Sequence, residues 1–262
     1  MFRSELRRAL TSKSFFAALG LAFAALLIGG MDYFADIFVR MSDGSVSVGT
    51  YIEKFLISFA YGVSSLFSVL FPVLAIVPYA TSYRGERDSG YQKLMILKAS
   101  RWTYRASKMM AAVCSGFLAL FLPSFCWLMI CRFLIGTGSV KYPILHGVDF
   151  LPQIYEAQPF LYGVIHTLNA GIQGAVFALL GMGLSAVVHN RYLAALLPFC
   201  YCLFSAIVLD VNYRALNAMV WVAIDGYVNH AIGYYGVILY DMIFALTGGV
   251  LFVGGDIYAG KD

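Results

Sequence analysis

Residues 109–131 read MMAAVCSGFLALFLPSFCWLMIC, a run that contains no charged side chain. As an α-helix rising about 1.5 Å per residue, the run is long enough to cross a bilayer core of about 30 Å. Strands of membrane barrels instead alternate apolar and polar residues over segments of about 10 residues, and this run does not alternate. It therefore predicts a membrane-spanning helix.

Five further apolar runs surround this one in the sequence. The second run along the chain contains Pro72 and Pro78, which predict a kink because proline disrupts the helical hydrogen-bond ladder. We expect an all-α, polytopic membrane protein of one domain, residues 1–262. Its six transmembrane helices are predicted at about 14–33, 56–80, 107–132, 160–188, 192–209 and 232–253.

The composition agrees with a membrane protein. Apolar residues make up 61% and charged residues 12% of the chain, whereas soluble domains average about 45–50% and about 25%. A soluble enzyme, a disordered chain and a disulfide-rich secreted domain are therefore excluded as classes. The five cysteines lie in apolar runs without metal-ligand spacing, so no metal site is expected.

The distribution of basic residues predicts the orientation. Six spans place both termini on one side, and 13 of the 18 lysines and arginines lie on that side. Because basic residues accumulate in cytoplasmic segments, we expect a plasma-membrane protein with both termini in the cytoplasm. The positive charges are then explained by the bilayer, and no nucleic-acid partner is expected.

The N-terminal residues 1–13 predict a short amphipathic helix. Phe2, Leu6 and Leu10 recur every four residues and form one stripe, while three arginines lie off that stripe. Such a helix is typical of segments lying on the inner leaflet.

Residues 215–224, ALNAMVWVAI, are too apolar for a solvated loop and too short to span. Two interpretations remain open. The segment is either a short re-entrant element before the sixth span or an interfacial helix anchored by Trp221.

The cytoplasmic connection between the second and third spans predicts a docking surface. Asp88 or Ser89 is a candidate N-cap for a short helix over about 88–98, and Ser100 is one for the third span. The side chains predicted to share one face of the short helix are Tyr91, Leu94, Met95 and Lys98. Apolar side chains on so short a cytoplasmic helix favour contact with a cytosolic partner.

Polar residues inside the spans are a second candidate site, because they are costly in a bilayer. His166, Asn169 and Gln173 share one face of the fourth span, and Asp241 and Arg132 lie in the outer half of the membrane region. These residues line a pathway or a dimer seam, or they only join helices, with Asp241 paired to Arg132 or capped by the outer segment. Helix joining is the favoured interpretation.

The same cytoplasmic connection also carries a recognisable pattern. It contains Glu86 and Gly90 in a Glu-x-x-x-Gly spacing, a Leu-Met-Ile-Leu run at 94–97, then Ser100-Arg101, Tyr104 and Lys108. With six predicted spans and an amphipathic N-terminal helix, this pattern resembles the ABC-2 type permeases, the transmembrane subunits of type V ABC exporters.

The resemblance implies a partner and a role for the connection. It would be the coupling helix seated in a groove of a separate P-loop ATPase, and residues 1–13 would be the connecting helix. The residues assigned to this interface are Glu86, Asp88, Gly90, Tyr91, Leu94, Met95, Lys98 and Arg101. The resemblance also implies a second permease subunit, identical or different, and the re-entrant interpretation of residues 215–224.

The chain contains no Gly-x-x-x-x-Gly-Lys-Ser/Thr motif. ATP and Mg²⁺ are therefore expected in the partner, with no cofactor and no enzymatic activity in this chain. The expected function is export of an amphipathic or apolar substrate, such as a drug, a peptide or a lipid-like molecule. The alternatives are a stand-alone secondary carrier or channel and a non-transporting membrane scaffold or immunity protein.

Overall fold

The computed structural model describes residues 1–42, 50–60, 66–80, 82–98, 100–135, 151–209, 216–222 and 233–259. All regular secondary structure in these ranges is helical. The helices are α1 (Phe2–Leu10), α2 (Lys13–Ser42), α3 (Tyr51–Ala60), α4 (Leu66–Ile76), α5 (Ser82–Asp88), α6 (Tyr91–Lys98), α7 (Arg101–Ile135), α8 (Pro152–Ala157), α9 (Pro159–Val187), α10 (Arg191–Phe204), α11 (Ala218–Val222) and α12 (Gly233–Ala259). A π-helical turn, Ser205–Leu209, continues α10.

Four helices in the described ranges are long and apolar enough to cross a membrane. Their qualifying segments are Lys13–Gly30, Arg101–Leu134, Pro159–Val187 and Gly236–Ile257, which correspond to the first, third, fourth and sixth predicted spans. The chain is therefore an all-helical protein compatible with several membrane crossings. The second and fifth predicted spans contain only shorter apolar helices, Leu66–Ile76 and Tyr192–Val208.

The second predicted span, 56–80, is not one continuous helix among the described residues. It contains the end of α3 and all of α4, and residues 61–65 lie outside the described residues. Pro72 lies inside α4, and the chain turns at 77–80 around Pro78. Pro72 therefore does not end α4, whereas α4 ends two residues before Pro78, in accordance with the disruption of helical hydrogen bonds by proline.

Helix α9 occupies the centre of the bundle and packs on α7 and α12. It crosses α7 so closely that a Cβ on Gly174 would lie 2.3 Å from the carbonyl oxygen of Gly116. A Cβ on Gly183 would lie 2.3 Å from the carbonyl oxygen of Gly248 in α12. Small residues permit this backbone approach between apolar helices.

The contacts also give the relative directions of the long helices. Glu5 of α1, the helix that directly precedes α2, pairs with Lys108 near the start of α7. Gly30, farther along α2, approaches Trp127, farther along α7. Helices α2 and α7 therefore run in the same direction. Helix α9 runs against α7, since Gly171 meets Phe117 while Gly163 meets Leu128.

The remaining long helix, α12, runs parallel to α9. Gln173 bonds to Asp241, and farther along both helices Gly255 meets Ala186. Two parallel pairs of long helices, α2 with α7 and α9 with α12, thus run in opposite directions.

The short helix α11 is enclosed by the bundle. Trp221 is fully buried, stacks on Tyr240 with ring centroids 5.1 Å apart, and meets the edge of Phe244. At one end of the helix, the Ala218 amide donates to Ser205 Oγ at 3.3 Å. At the other end, Asn169 Nδ2 donates to the carbonyl oxygen of Trp221 at 2.9 Å.

Candidate functional site

Buried charges join the elements at one end of the bundle, which we call the charged end: α1, α5, α6, the start of α7 and the end of α12. Glu86 of α5 is only 3% exposed. Its Oε1 accepts from Lys108 Nζ at 2.6 Å and from Arg8, and its Oε2 accepts from the Tyr104 hydroxyl at 2.9 Å. One carboxylate therefore connects α1, α5 and α7.

Lys108 binds a second carboxylate, that of Glu5 in α1. Lys108 Nζ lies 2.9 Å from Glu5 Oε2 and donates to the Tyr79 hydroxyl at 2.7 Å, and Tyr79 in turn donates to Glu5. Burial alone would raise the pKa of Glu5, but the hydrogen bonds from Tyr79 and Lys108 and the charge of Lys108 outweigh it and hold that pKa below its ordinary value. Glu5 is therefore a charged anchor for α1.

Helix α1 packs through a face that the sequence pattern did not indicate. Glu5 and Ala9 are its buried residues, whereas Phe2 is 40% exposed and Leu6 and Leu10 are half-buried. The predicted apolar stripe therefore lies at the edge of the contact and remains available to a bilayer.

Asp256, near the end of α12, is the second charged centre. Its Oδ1 accepts from the Tyr83 hydroxyl at 2.7 Å and from Gln92 Nε2 at 2.6 Å, and its Oδ2 accepts from Arg105 Nε at 2.6 Å. Burial and the hydrogen bond to Asp256 raise the pKa of Tyr83, so that Tyr83 stays a hydroxyl donor. Through Gln92, the short helix α6 is attached directly to α12.

The outer face of α6 carries exposed apolar side chains. Tyr91 is 41%, Leu94 60% and Leu97 83% exposed, and Trp102 at the start of α7 is 68% exposed. Met95 does not share this face, because it packs on the core beneath α6. We call Tyr91, Leu94, Leu97 and Trp102 the apolar surface.

The remaining predicted interface residues lie around α5 and α6. The short helix predicted over about 88–98 is α6, which begins at Tyr91 because the preceding helix α5 extends to Asp88. Gly90 between them has φ of +72°, a left-handed conformation that glycine adopts without a steric penalty. Asp88 pairs with Arg84 at 3.0 Å instead of capping α6, and Arg101 is exposed. The Lys98 side chain lies outside the described residues.

A cleft of about 620 Å³ opens beside the Glu86 network. Its lining includes Arg8, Pro78, Tyr79, Ser82, Glu86 and Tyr91. The Arg8 side chain is 53% exposed, whereas Lys108 is fully buried. Arg8 is therefore the solvent-accessible member of the Glu86 network.

The predicted polar face of α9 points into the bundle. His166 is 3%, Asn169 6% and Gln173 0% exposed. Gln173 Nε2 donates to both oxygens of Asp241 at 2.8 and 3.0 Å, and Asn169 holds the carbonyls at the end of α11. Both ring nitrogens of His166 and Oε1 of Gln173 have no hydrogen-bond partner among the described residues.

Arg132 does not pair with Asp241, which was one of the two arrangements expected for that acid. Its guanidinium carbon lies 4.3 Å above the ring of Phe160, while Asp241 is bonded by Gln173. Hydrogen bonds from Asn169 and Gln173 connect α9 to α11 and to Asp241 of α12, and Arg132 takes no part in them.

Sequence reasoning missed Glu5 and Asp256 as members of the charged end. Each is a single acid in a segment close to an expected membrane surface. From the sequence alone, such an acid is interpreted as an ordinary charge that flanks a membrane span. Only the fold shows that both are enclosed by cations from α7. A useful signal was the presence of Arg105 and Lys108 three residues apart in α7, because this spacing places both cations toward neighbouring elements.

Comparison with known proteins finds no relative: no protein-family model, no curated protein and no solved structure matches this chain.

Proposed function

We propose that the chain is the transmembrane subunit of an ATP-driven exporter, with a separate ATPase docked on the apolar surface. The observation that carries the proposal is an exposed apolar face on a short helix whose other side is fixed to the bundle. Exposed apolar patches on otherwise well-packed proteins mark contact sites. The resemblance of residues 83–108 to ABC-2 permeases identifies the expected partner as a P-loop ATPase.

The attachment of α5 and α6 explains how a docked partner could act on the membrane region. Gln92 connects α6 to α12 through Asp256, and Glu86 connects α5 to α1 and α7. A displacement of α5 and α6 would therefore displace α1, α7 and α12, because the buried ion pairs of Glu86 and the hydrogen bond from Gln92 are costly to break. The two packed arrangements of an exporter could be biased through these contacts.

Six crossings are supported by the directions of the long helices. If α2 and α7 both cross from the charged end, the chain must return between them, and α3 with α4 supplies a path. If α9 and α12 both cross toward the charged end, α10 and its π-helical turn supply the second return. We therefore retain six spans, with the charged end in the cytoplasm in accordance with its basic residues.

The enclosure of α11 favours the re-entrant interpretation of residues 215–224. Asn169, which holds the end of α11, lies ten residues into α9, or about 15 Å along that helix. Backbone at such depth is tolerated where protein surrounds it. Burial of Trp221 inside the bundle argues against its use as an interfacial anchor.

ATP and Mg²⁺ would bind to the partner, and this chain would bind no cofactor. A second permease subunit completes the proposed assembly, since six transmembrane helices are few to enclose a transport pathway. The substrate class remains the one expected from the resemblance, an amphipathic or apolar molecule.

Variants of the apolar surface test the proposal. The tagged chain is purified from its native membrane in mild detergent, and a co-purifying P-loop ATPase is quantified by mass spectrometry. Leu94→Asp should reduce the bound ATPase at least tenfold, because it places a charge at the centre of the proposed contact. Ser4→Asp is the matched control, since Ser4 is exposed on α1 at the same end of the molecule and lies off the apolar surface.

Equal recovery of the ATPase with Leu94→Asp and Ser4→Asp would refute docking on α6. Recovery of the chain without any ATPase, also after crosslinking, would instead favour a stand-alone carrier or a non-transporting scaffold.

A further inference from the structure

Asp241, in the first third of α12, is positioned to bind a positively charged group. Asp241 is 9% exposed, and its two oxygens accept from a single amide group, Gln173 Nε2. Within the described residues no lysine, arginine or histidine forms an ion pair with it. A buried carboxylate without a cation is costly in an apolar surrounding, and a bound cation would remove that cost.

A polar atom beside Asp241, Oε1 of Gln173, also lacks a hydrogen-bond donor among the described residues. Gln173 Oε1 is buried and has no hydrogen-bond partner among the described residues, although its amide nitrogen is used twice. A carboxylate has about four lone-pair positions, and Gln173 occupies two of those of Asp241. The pair therefore presents free acceptor positions on both residues, which suits a ligand that brings N–H donors.

Aromatic rings surround the same part of α12. Tyr240 and Phe244, on either side of Asp241 in the sequence, both contact Trp221, with centroid distances of 5.1 and 5.3 Å. Phe244 also contacts Tyr201 of α10 at 5.3 Å. These rings add apolar surface to the same part of α12, which suits the apolar remainder of such a ligand.

We infer that Gln173 and Asp241 form a binding site for a protonated organic amine, with Trp221, Tyr240 and Phe244 next to its apolar part. The ammonium group donates to the Asp241 carboxylate and to Gln173 Oε1. A quaternary ammonium would satisfy the charge but not Oε1, and a neutral amide analogue could donate to Oε1 but would not compensate the charge of the carboxylate. The inference rests on the proposed function in one respect, since it assigns the exported substrate to the class of amphipathic amines.

Direct binding to the isolated chain tests the inference without an ATPase. The full-length protein in detergent is titrated into monodansylcadaverine, a fluorescent aromatic primary amine, and polarisation is recorded. The N-acetylated form of the same probe is the uncharged control. We expect saturable binding of the amine and at least tenfold weaker binding of the acetylated probe.

Variants assign the binding to Asp241. Asp241→Asn should weaken amine binding at least tenfold, and Asp241→Glu, which keeps the charge, should retain most of it. Glu156→Gln removes an exposed acid on α8 and should leave binding unchanged. The unfolding temperature of each variant, measured in the same detergent, excludes misfolding as the cause of a loss.

Equal affinity of the native chain and Asp241→Asn for the amine, equal affinity for both probes, or absence of binding to the native chain would overturn the inference. Each of these results leaves ATPase docking on α6 untouched, because that is measured by co-purification. Conversely, amine binding that depends on Asp241 in a chain that recovers no ATPase would support the site and refute the exporter.

Discussion

At the scale of single residues, the charged end depends on Lys108. This fully buried cation contacts Glu5 and Glu86 together, whereas the half-exposed Arg8 contacts Glu86 alone among the ion pairs of the described residues. Removing one partner from a buried ion pair leaves an uncompensated charge, at a cost of about 3–5 kcal/mol. The cost of removing a half-exposed partner is smaller, because water screens the remaining charge.

Lys108→Met should therefore lower the free energy of unfolding by about 3–5 kcal/mol, and Arg8→Met should lower it by less than about 1 kcal/mol. Equilibrium unfolding in detergent measures both. The double variant Lys108→Met/Glu5→Gln should recover part of the loss, because it also removes the carboxylate that Lys108→Met leaves without an ion-pair partner among the described residues. Equal destabilisation by Lys108→Met and Arg8→Met would contradict the greater burial assigned to Lys108.

Glu5 predicts a pH dependence of stability. The pKa of Glu5 in the folded chain lies below its ordinary value of 4.5, so the unfolded chain binds a proton first as the pH falls. Its contribution to stability is then present above pH 4.5 and is lost as the pH falls through the lower, folded-state pKa. The stability difference between the native chain and Glu5→Gln should be large at pH 7 and shrink below pH 4.5. A difference that is constant over this range would contradict the role of Glu5.

At the scale of elements, helix existence was predictable and helix contacts were only partly so. Long apolar runs indicated α2, α7, α9 and α12. Ser100 was correctly predicted as the cap of α7, since its Oγ accepts from the Thr103 amide at 3.2 Å. The sequence pattern placed Met95 on one face with Tyr91 and Leu94 and did not indicate Glu5 as a packed residue of α1, because periodicity identifies a stripe but not its neighbour. Buried ion pairs with distant parts of the chain decide where α1 packs, and the hydrogen bond from Gln92 to Asp256 attaches α6.

The closest helix contact can be tested by one added methyl group. Gly174→Ala should destabilise the protein by about 1–3 kcal/mol, because its Cβ would lie 2.3 Å from the Gly116 carbonyl oxygen. Gly20→Ala in α2 is the matched control, since its Cβ meets nothing within 4 Å, and alanine favours a helix by up to about 1 kcal/mol over glycine. Thermal unfolding in detergent compares the two, and similar effects of both changes would contradict the crossing.

At the scale of the whole molecule, the composition and the long apolar helices are compatible with a membrane protein, and the helix directions bear on its proposed topology. Hydropathy indicated six runs, while four helices in the described ranges meet the length for a crossing. The second run includes residues 61–65, which lie outside the described residues, and the described apolar helix of the fifth run, Tyr192–Val208, is shorter than the four. A topology with only four crossings would alternate the long helices, whereas α2 and α7 are parallel. The helix directions therefore support the proposal that the second and fifth predicted spans cross as well.

The most direct test of this account is the sidedness of three single cysteines, Ser4→Cys, Ser89→Cys and Glu156→Cys, in a chain whose five native cysteines are replaced. A membrane-impermeant maleimide is applied to intact cells and then to permeabilised cells. Six crossings with the charged end inside predict that Glu156→Cys reacts in intact cells and that the other two react only after permeabilisation. Reaction of Ser89→Cys in intact cells, with Glu156→Cys protected, is the pattern of four crossings and would place α6 where no cytoplasmic ATPase can reach it.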